Sequence, residues 1–204
     1  MKKQLIAYAT LMSLLLSACD KEETKNNTTP TTPTTTTVKA GSVFTFQRTD
    51  YDSLAGTSVL STTQYTLTML RDSTLNGEKW LVVERKDSKG SQYGLMKFAA
   101  DGMYNLGSGG AKMQLKFNAA VNDTWVDASS QTCVVKSLNQ SLTVPKGSFT
   151  NATYMESSDA NSLENKMWYN DTEYLLRNEE YDEKPGAPGT MILDYRDELV
   201  NIQL

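Results

Sequence analysis

Apolar and polar side chains alternate along most of the chain beyond residue 40. In "AKMQLKFN", Met113, Leu115 and Phe117 fall on one side and Gln114, Lys116 and Asn118 on the other; in "QYTLTML", Tyr65, Leu67 and Met69 alternate with Thr66 and Thr68. A period of two belongs to a strand with one dry and one wet face, because successive side chains leave a pleated backbone on opposite sides. The stretches "KWLVVERK", "QYGLMKFA", "TCVVKSL", "NATYMES", "NKMWYN", "EYLLRNEE" and "GTMILDY" carry aromatic and β-branched residues and predict further strands. Asn76-Gly77, Lys89-Gly90 and Asp101-Gly102 follow one another at 13 and 12 residues. Such pairs supply the positive φ angles of tight hairpins, and the spacing leaves no room for a crossover helix. "SSDANSLEN" (157–165) reads as a loop. The pattern predicts an all-β fold built as a single antiparallel meander.

The first residues break this pattern. Lys2 and Lys3 precede a run from Leu5 to Leu16 that is apolar apart from Tyr8, Thr10 and Ser13, the layout of a secretory signal. The run is too short to span a bilayer, which needs roughly 20 apolar residues. Leu16, Ser17, Ala18 and Cys19 follow, and these four residues resemble the lipobox that ends the signal peptides of bacterial lipoproteins. The resemblance implies cleavage before Cys19, diacylation of its sulfur and acylation of its new amine. Several acyl chains, at about 0.8 kcal/mol per buried CH₂, anchor a protein stably. Residues 1–18 are thus expected to be a lipoprotein signal peptide. The next segment, 19–38, has no apolar residue between Asp20 and Thr37 and places eight threonines between positions 28 and 37, around Pro30 and Pro33. It lacks what a core requires and reads as a tether. Residues 39–204 are left as one β domain, a length that supports a sizeable core.

Charge and composition narrow the chemistry. Without residues 1–18 the chain keeps 18 basic and 24 acidic residues, a net charge of −6, which argues against nucleic acid as a partner. There is no histidine, so Ser-His-Asp and Cys-His catalysis and histidine-containing zinc sites are excluded. With Cys19 lipidated, Cys133 has no intramolecular disulfide partner, and within "TCVVKSL" it reads as a small apolar core residue.

At "SLTVPKGSFTNATYM" (141–155) the sequence resembles secreted lipoproteins of Bacteroidetes that carry a "TVPAGTF" segment after an upstream "GDTW". Thr143, Val144, Pro145, Gly147 and Phe149 match, Lys146 and Ser148 depart from it, and Asn122 to Trp125 stand where "GDTW" would. "LNGEKWLVVE" and the terminal "ELVNIQL" match further, whereas "DTEYLLRNEE" departs from the family's later strand. The resemblance implies a strongly curved sheet like the half-barrels of lipoprotein carriers. It also implies that Lys21, Glu22 and Glu23, directly after the lipidated cysteine, act as the signal that exports such lipoproteins to the outer face of the outer membrane; the periplasmic face is the alternative. Physically, Pro145 and Gly147 make a strand-turn-strand corner anchored by Val144 and Phe149.

Several groups invite a chemical reading. Glu173, Glu179, Glu180, Asp182 and Glu183 surround Tyr174 and Tyr181, as in a glycosidase carboxylate pair or a calcium site; without a D-x-[DN]-x-[DN]-G loop, they read as solvated surface. Trp80, Trp125 and Trp168 suit either a sugar-stacking platform or a core. "GSGG" (107–110) lacks the helix and lysine of a phosphate loop. Asp52-Ser53-Leu54 and Asp72-Ser73-Thr74 resemble the short O-glycosylation motif of Bacteroidetes. The expectation is an acylated envelope lipoprotein of the outer membrane that binds or scaffolds without catalysing. No cofactor or metal is expected, no catalytic residue is assigned, and the ligand-binding residues are unknown. Its partners would be the membrane, through Cys19, and envelope proteins, glycans or an apolar ligand. The alternatives are a half-barrel carrier of a lipid and a carboxylate-dependent hydrolase.

Overall fold

Twelve strands make one antiparallel sheet in the computed structural model, which describes residues 38–107, 109–159 and 162–204. Cys19, Lys21, Glu22 and Glu23, the signal peptide and the tether as far as Thr37 lie outside the described residues. The strands are β1 (Val43–Tyr51), β2 (Val59–Leu75), β3 (Glu78–Asp87), β4 (Gly90–Ala99), β5 (Gly102–Gly107), β6 (Gly110–Lys116), β7 (Thr124–Val126), β8 (Thr132–Val144), β9 (Gly147–Asp159), β10 (Ser162–Asn170), β11 (Tyr174–Glu183) and β12 (Met191–Gln203). Consecutive strands are neighbours except β6 and β7, and β1 pairs with β12 in the middle of the sheet. The fold is therefore two six-stranded meanders joined along β1 and β12. The sheet curls into a nearly closed barrel, and the edge strands β6 and β7 approach one another.

The expected hairpins are present. Asn76 and Gly77 both take positive φ, 52° and 81°, at the β2–β3 turn, the combination a two-residue hairpin needs to match strand twist. At the β4–β5 turn glycine is required for space: a Cβ on Gly102 would sit 2.3 Å from the Leu115 carbonyl oxygen. The "TVPKGSF" corner joins β8 to β9. Val144 is buried, Phe149 packs on the core, and the Lys146 N–H donates to the Leu199 carbonyl of β12 at 3.0 Å.

Two local expectations are corrected. Residues 157–159 and 162–165 are not a loop but paired ends of β9 and β10, with Asp159 opposite Ser162 and Ser158 opposite Leu163; cross-strand pairing outweighs their turn-rich composition. In β6 the strict alternation breaks at Gln114, where the register with β5 shifts between Met103/Leu115 and Tyr104/Met113. The bulge re-aims Gln114 to the inside, where Asn105 Nδ2 donates to its Oε1 at 3.4 Å.

Successive inward positions change character along the strands. At the end where β1 enters the sheet, the lumen is filled by Phe44, Phe46, Met69, Leu115, Phe117, Met155, Tyr169, Tyr174, Leu176 and Leu199, all buried. Phe44, Phe98 and Phe117 gather round the Tyr174 ring at centroid distances of 6.0, 4.8 and 5.7 Å. Each such side chain contributes about 1.5–3 kcal/mol by leaving water. Further along, inward positions become polar: Arg48 follows Phe46 on β1, Asp197 precedes Leu199 on β12, and Asn178 follows Leu176 on β11. The result is a barrel with an apolar floor and a polar mouth.

Candidate functional site

The mouth is framed by the β1–β2, β3–β4, β7–β8 and β11–β12 connections, at the end of the barrel opposite the start of β1. Its main cavity holds about 430 Å³, within the range of small-molecule sites. Met96, Met103, Leu115, Met167 and Leu175 form its base. Asn105, Gln114, Asn165 and Asn178 line the wall. Asp127, Ser129, Gln131, Glu164 and Glu180 complete it.

One wall is built from the β7–β8 loop. Asp127 is 2% exposed and its Oδ1 accepts from the N–H groups of Ser129 and Gln131 at 2.8 and 3.0 Å, which fixes the loop. Gln131 Oε1 in turn accepts from Ser157 Oγ and Asn165 Nδ2 at 2.8 and 3.1 Å. Asp127 is thus committed to backbone support. Cys133, next to it, is fully buried, and its thiol is pushed up to about 12 by burial and by Asp127. It is the core residue the sequence indicates, with no reactive thiolate at neutral pH.

The β10–β11 wall carries two carboxylates, Glu164 and Glu180. Glu180 accepts from the Tyr195 hydroxyl. Glu164 sits in the bulge that separates the Leu163/Ser158 and Asn165/Ser157 pairs, and burial, then Asp159, Asp182 and Glu180, hold its carboxyl above the usual range. The Oδ1 atoms of Asn105 and Asn178 are buried without a hydrogen-bond partner.

A smaller cavity of about 170 Å³ opens on the β1–β3 side, lined by Arg48, Asp50, Tyr65, Arg85, Asp87 and Lys89 among others. Its arginines are already engaged. Arg48 Nε and Nη2 donate to Asp197 at 2.8 and 2.7 Å, its guanidinium lies 3.6 Å from the Tyr195 ring centroid, and Arg85 donates to Asp87 at 2.9 Å. In the main cavity itself the carboxylates of Glu164 and Glu180 have no ion pair among the described residues.

The late acidic cluster does not assemble into one site. Glu173 pairs with Lys146 and Glu179 with Arg196, and only Glu180 lines the main cavity. Glu179 is 7% exposed, so the solvated-surface expectation fails there: Arg196 and the Tyr181 hydroxyl satisfy it beneath their own side chains. The tryptophans are likewise separate. Trp80 is buried beside Lys97, Trp125 packs on the core, and Trp168 stacks on Tyr154 at 4.8 Å while its Nε1 donates to Gln140. Of the two glycosylation-like motifs, Ser53 is exposed in the β1–β2 connection and Ser73 lies within β2. Among the described residues, no group of three acidic or cysteine side chains is placed to hold a metal. Glu164, Asn105 and Asn178 were missed by sequence reasoning. They lie on three strands, and the bulge that exposes Glu164 leaves no mark in the alternation.

No protein-family model matches the chain, and no curated protein matches it. Among solved structures, it is similar to a proposed exported protein with a YmcC-like fold from Bacteroides fragilis NCTC 9343, at 12% identity and a TM-score of 0.49, over 81% of this chain and 97% of that one. A proposed lipoprotein from Parabacteroides distasonis ATCC 8503 is similar at 14% identity and a TM-score of 0.44, over 84% and 97%. At these values neither likeness carries a functional assignment.

Proposed function

We propose that the chain is a lipid-anchored envelope protein whose barrel is a noncatalytic binding module. The observation that carries this reading is the polarity of the lumen. The chain enters β1 at the apolar, filled end, and the cavity of about 430 Å³ opens at the other. The lipobox at Leu16 to Cys19 supplies the anchor, and Lys21, Glu22 and Glu23 supply the address to the outer face of the outer membrane. The Thr/Pro-rich tether sets the spacing.

The filled floor speaks against a lipid carrier. Its apolar void, lined by Phe44, Phe46, Met69, Phe98 and Tyr174 among others, has about 60 Å³, less than half of the roughly 150 Å³ apolar cavity that accepts benzene. A hydrolase would rest on Glu164 and Glu180, the two carboxylates of the main cavity that are not committed to backbone N–H groups. Glu180 is tied to the Tyr195 hydroxyl, which engages one of the two carboxyl groups such a reaction needs.

Metabolic labelling with a fatty-acid analogue tests the anchor: Cys19→Ala should abolish labelling, and continued labelling overturns it. Replacing Lys21, Glu22 and Glu23 with alanine should remove accessibility to external protease while labelling persists; unchanged accessibility overturns surface display. Hydrolysis of aryl glycosides that Glu164→Gln abolishes would replace the binding reading with the hydrolase.

A further inference from the structure

Beyond the filled floor, at the end of the barrel opposite the mouth, lies a groove of about 330 Å³, within the range of small-molecule sites. Its walls are the β6–β7 connection, the β10–β11 turn and the middle of the β8–β9 hairpin. The chemistry of the lining is narrow. Four asparagines reach it, Asn118, Asn139, Asn151 and Asn170, together with the hydroxyls of Thr153 and Thr172. Among the described residues no lysine, arginine or aromatic ring lines it, and Asp171 is its one charge. Asn118, Asn139, Asn151 and Thr172 are exposed, so their side chains are open to a ligand.

The second observation is that the sheet gives up regular pairing along this wall. Between Val135 and Leu142 the β8–β9 register shifts three times, and Asn139 sits in β8 with φ at 55°. Bulges of this kind re-aim side chains out of the strand alternation. Across the groove Asn118 is also left-handed, with φ at 51°, a conformation asparagine tolerates better than most residues. The base is fixed by Asn170, which is 3% exposed. Its Oδ1 accepts from the N–H groups of Thr172 and Glu173 at 3.0 and 2.6 Å, and its Nδ2 donates to Glu173 Oε2 at 2.9 Å. The turn that presents Asp171 and Thr172 is thereby ordered in advance, which lowers the cost of binding.

Side-chain amides offer a donor and an acceptor together, and hydroxyls do the same. Their complement is a ligand whose groups both donate and accept at close spacing and which carries no net charge. Ring hydroxyls meet that requirement, and Leu138, 37% exposed, supplies an apolar patch for ring C–H groups. We propose that this groove binds an uncharged saccharide, whose hydroxyls are bonded by Asn118, Asn139, Asn151 and Thr172 and whose C–H face rests on Leu138. The site is separate from the mouth cavity and depends on neither that cavity nor the anchor. An anion finds no cation here, and a cation finds a single carboxylate, whose ionised form burial disfavours. Without an aromatic platform the dissociation constant is expected on the order of 1 mM.

The test is saturation-transfer NMR on the full chain in a detergent without a sugar headgroup. N-acetylglucosamine, galactose and mannose are the neutral probes, glucuronate the anionic one and spermidine the cationic one. Saturable binding of at least one neutral sugar is expected. It should weaken at least fivefold in Asn118→Gly/Asn139→Gly, which keeps the left-handed backbone and removes both amides, and several-fold in Thr172→Ala. Asn76→Gly, the same replacement at a left-handed residue of the β2–β3 turn, should bind as the parent does. Equal affinity in both groove variants overturns the proposal, as does failure of all three neutral sugars to saturate or preferential binding of glucuronate or spermidine. Loss of the signal in Glu164→Gln with full retention in the groove variants moves the sugar to the mouth cavity and overturns the groove assignment. Thermal melts separate a lost contact from a lost fold, and Thr172→Ala keeps the test decisive if the double variant melts early.

Discussion

The Tyr169 hydroxyl on β10 donates to the Lys116 carbonyl at the end of β6 at 2.7 Å, reaching across the lumen to an edge strand. β6 and β7 share no ladder, so this bond, with Lys116 Nζ to Asp123 at 2.8 Å, ties down the seam of the barrel. Tyr169→Phe removes the donor and leaves a carbonyl short of its partner. It should destabilise by about 0.5–1.5 kcal/mol, measured by urea unfolding, with faster amide exchange concentrated in β6. A loss spread evenly over the sheet would show that the bond does not hold the seam.

Arg48 and Asp197 form a two-pronged pair between β1 and β12, the strands that join the two meanders, and the Asp197 side chain is 5% exposed. Asp197→Ala strands a half-buried guanidinium. Removing one partner of a buried pair costs about 3–5 kcal/mol, and the partial exposure of Arg48 lowers the expectation to about 2–3 kcal/mol. Arg48→Leu/Asp197→Leu should recover most of the loss in denaturant titration. A double variant no better than Asp197→Ala would mean that the pair specifies the register and not only the charge balance.

Glu164 has its carboxyl raised by burial and by Asp159, Asp182 and Glu180. The folded state therefore holds the proton more tightly than the unfolded chain, so ionised Glu164 destabilises at neutral pH and the penalty disappears as pH falls through its folded value. Glu164→Gln should raise Tm at pH 7 by about 1–2 °C. The gain should vanish at pH values below about 4, where an unfolded glutamate also protonates. A gain independent of pH would assign the effect to packing.

Cys133 should resist a thiol reagent in the native state. Burial and Asp127 push its thiol up to about 12, and the side chain has no exposed surface. Labelling by a water-soluble disulfide reagent should proceed only at the rate of unfolding and become complete in denaturant. Fast labelling of folded protein would contradict the burial.

The period-two alternation and the paired turn residues determine the strands, their antiparallel order and the dry face, because a strand's side-chain direction is a local property. The lipobox-like run from Leu16 to Cys19 and the Thr/Pro-rich composition that follows it are equally local. Tyr65, Leu67 and Met69 go inside as their spacing requires, and Asn76-Gly77 turns where it must. Other features depend on which strands become neighbours. That β1 pairs with β12, that the sheet curls until it is nearly closed, and that Gln114 and Glu164 turn toward the lumen at bulges follow from long-range pairing, which no local period encodes. The same holds for the site. Asn105, Glu164, Asn178 and Glu180 come from β5, β10 and β11, and nothing in their own neighbourhoods marks them as acceptors around one cavity. Only closure of the sheet brings them face to face, with the apolar half of each inward row spent on the floor and the polar half left to line the mouth.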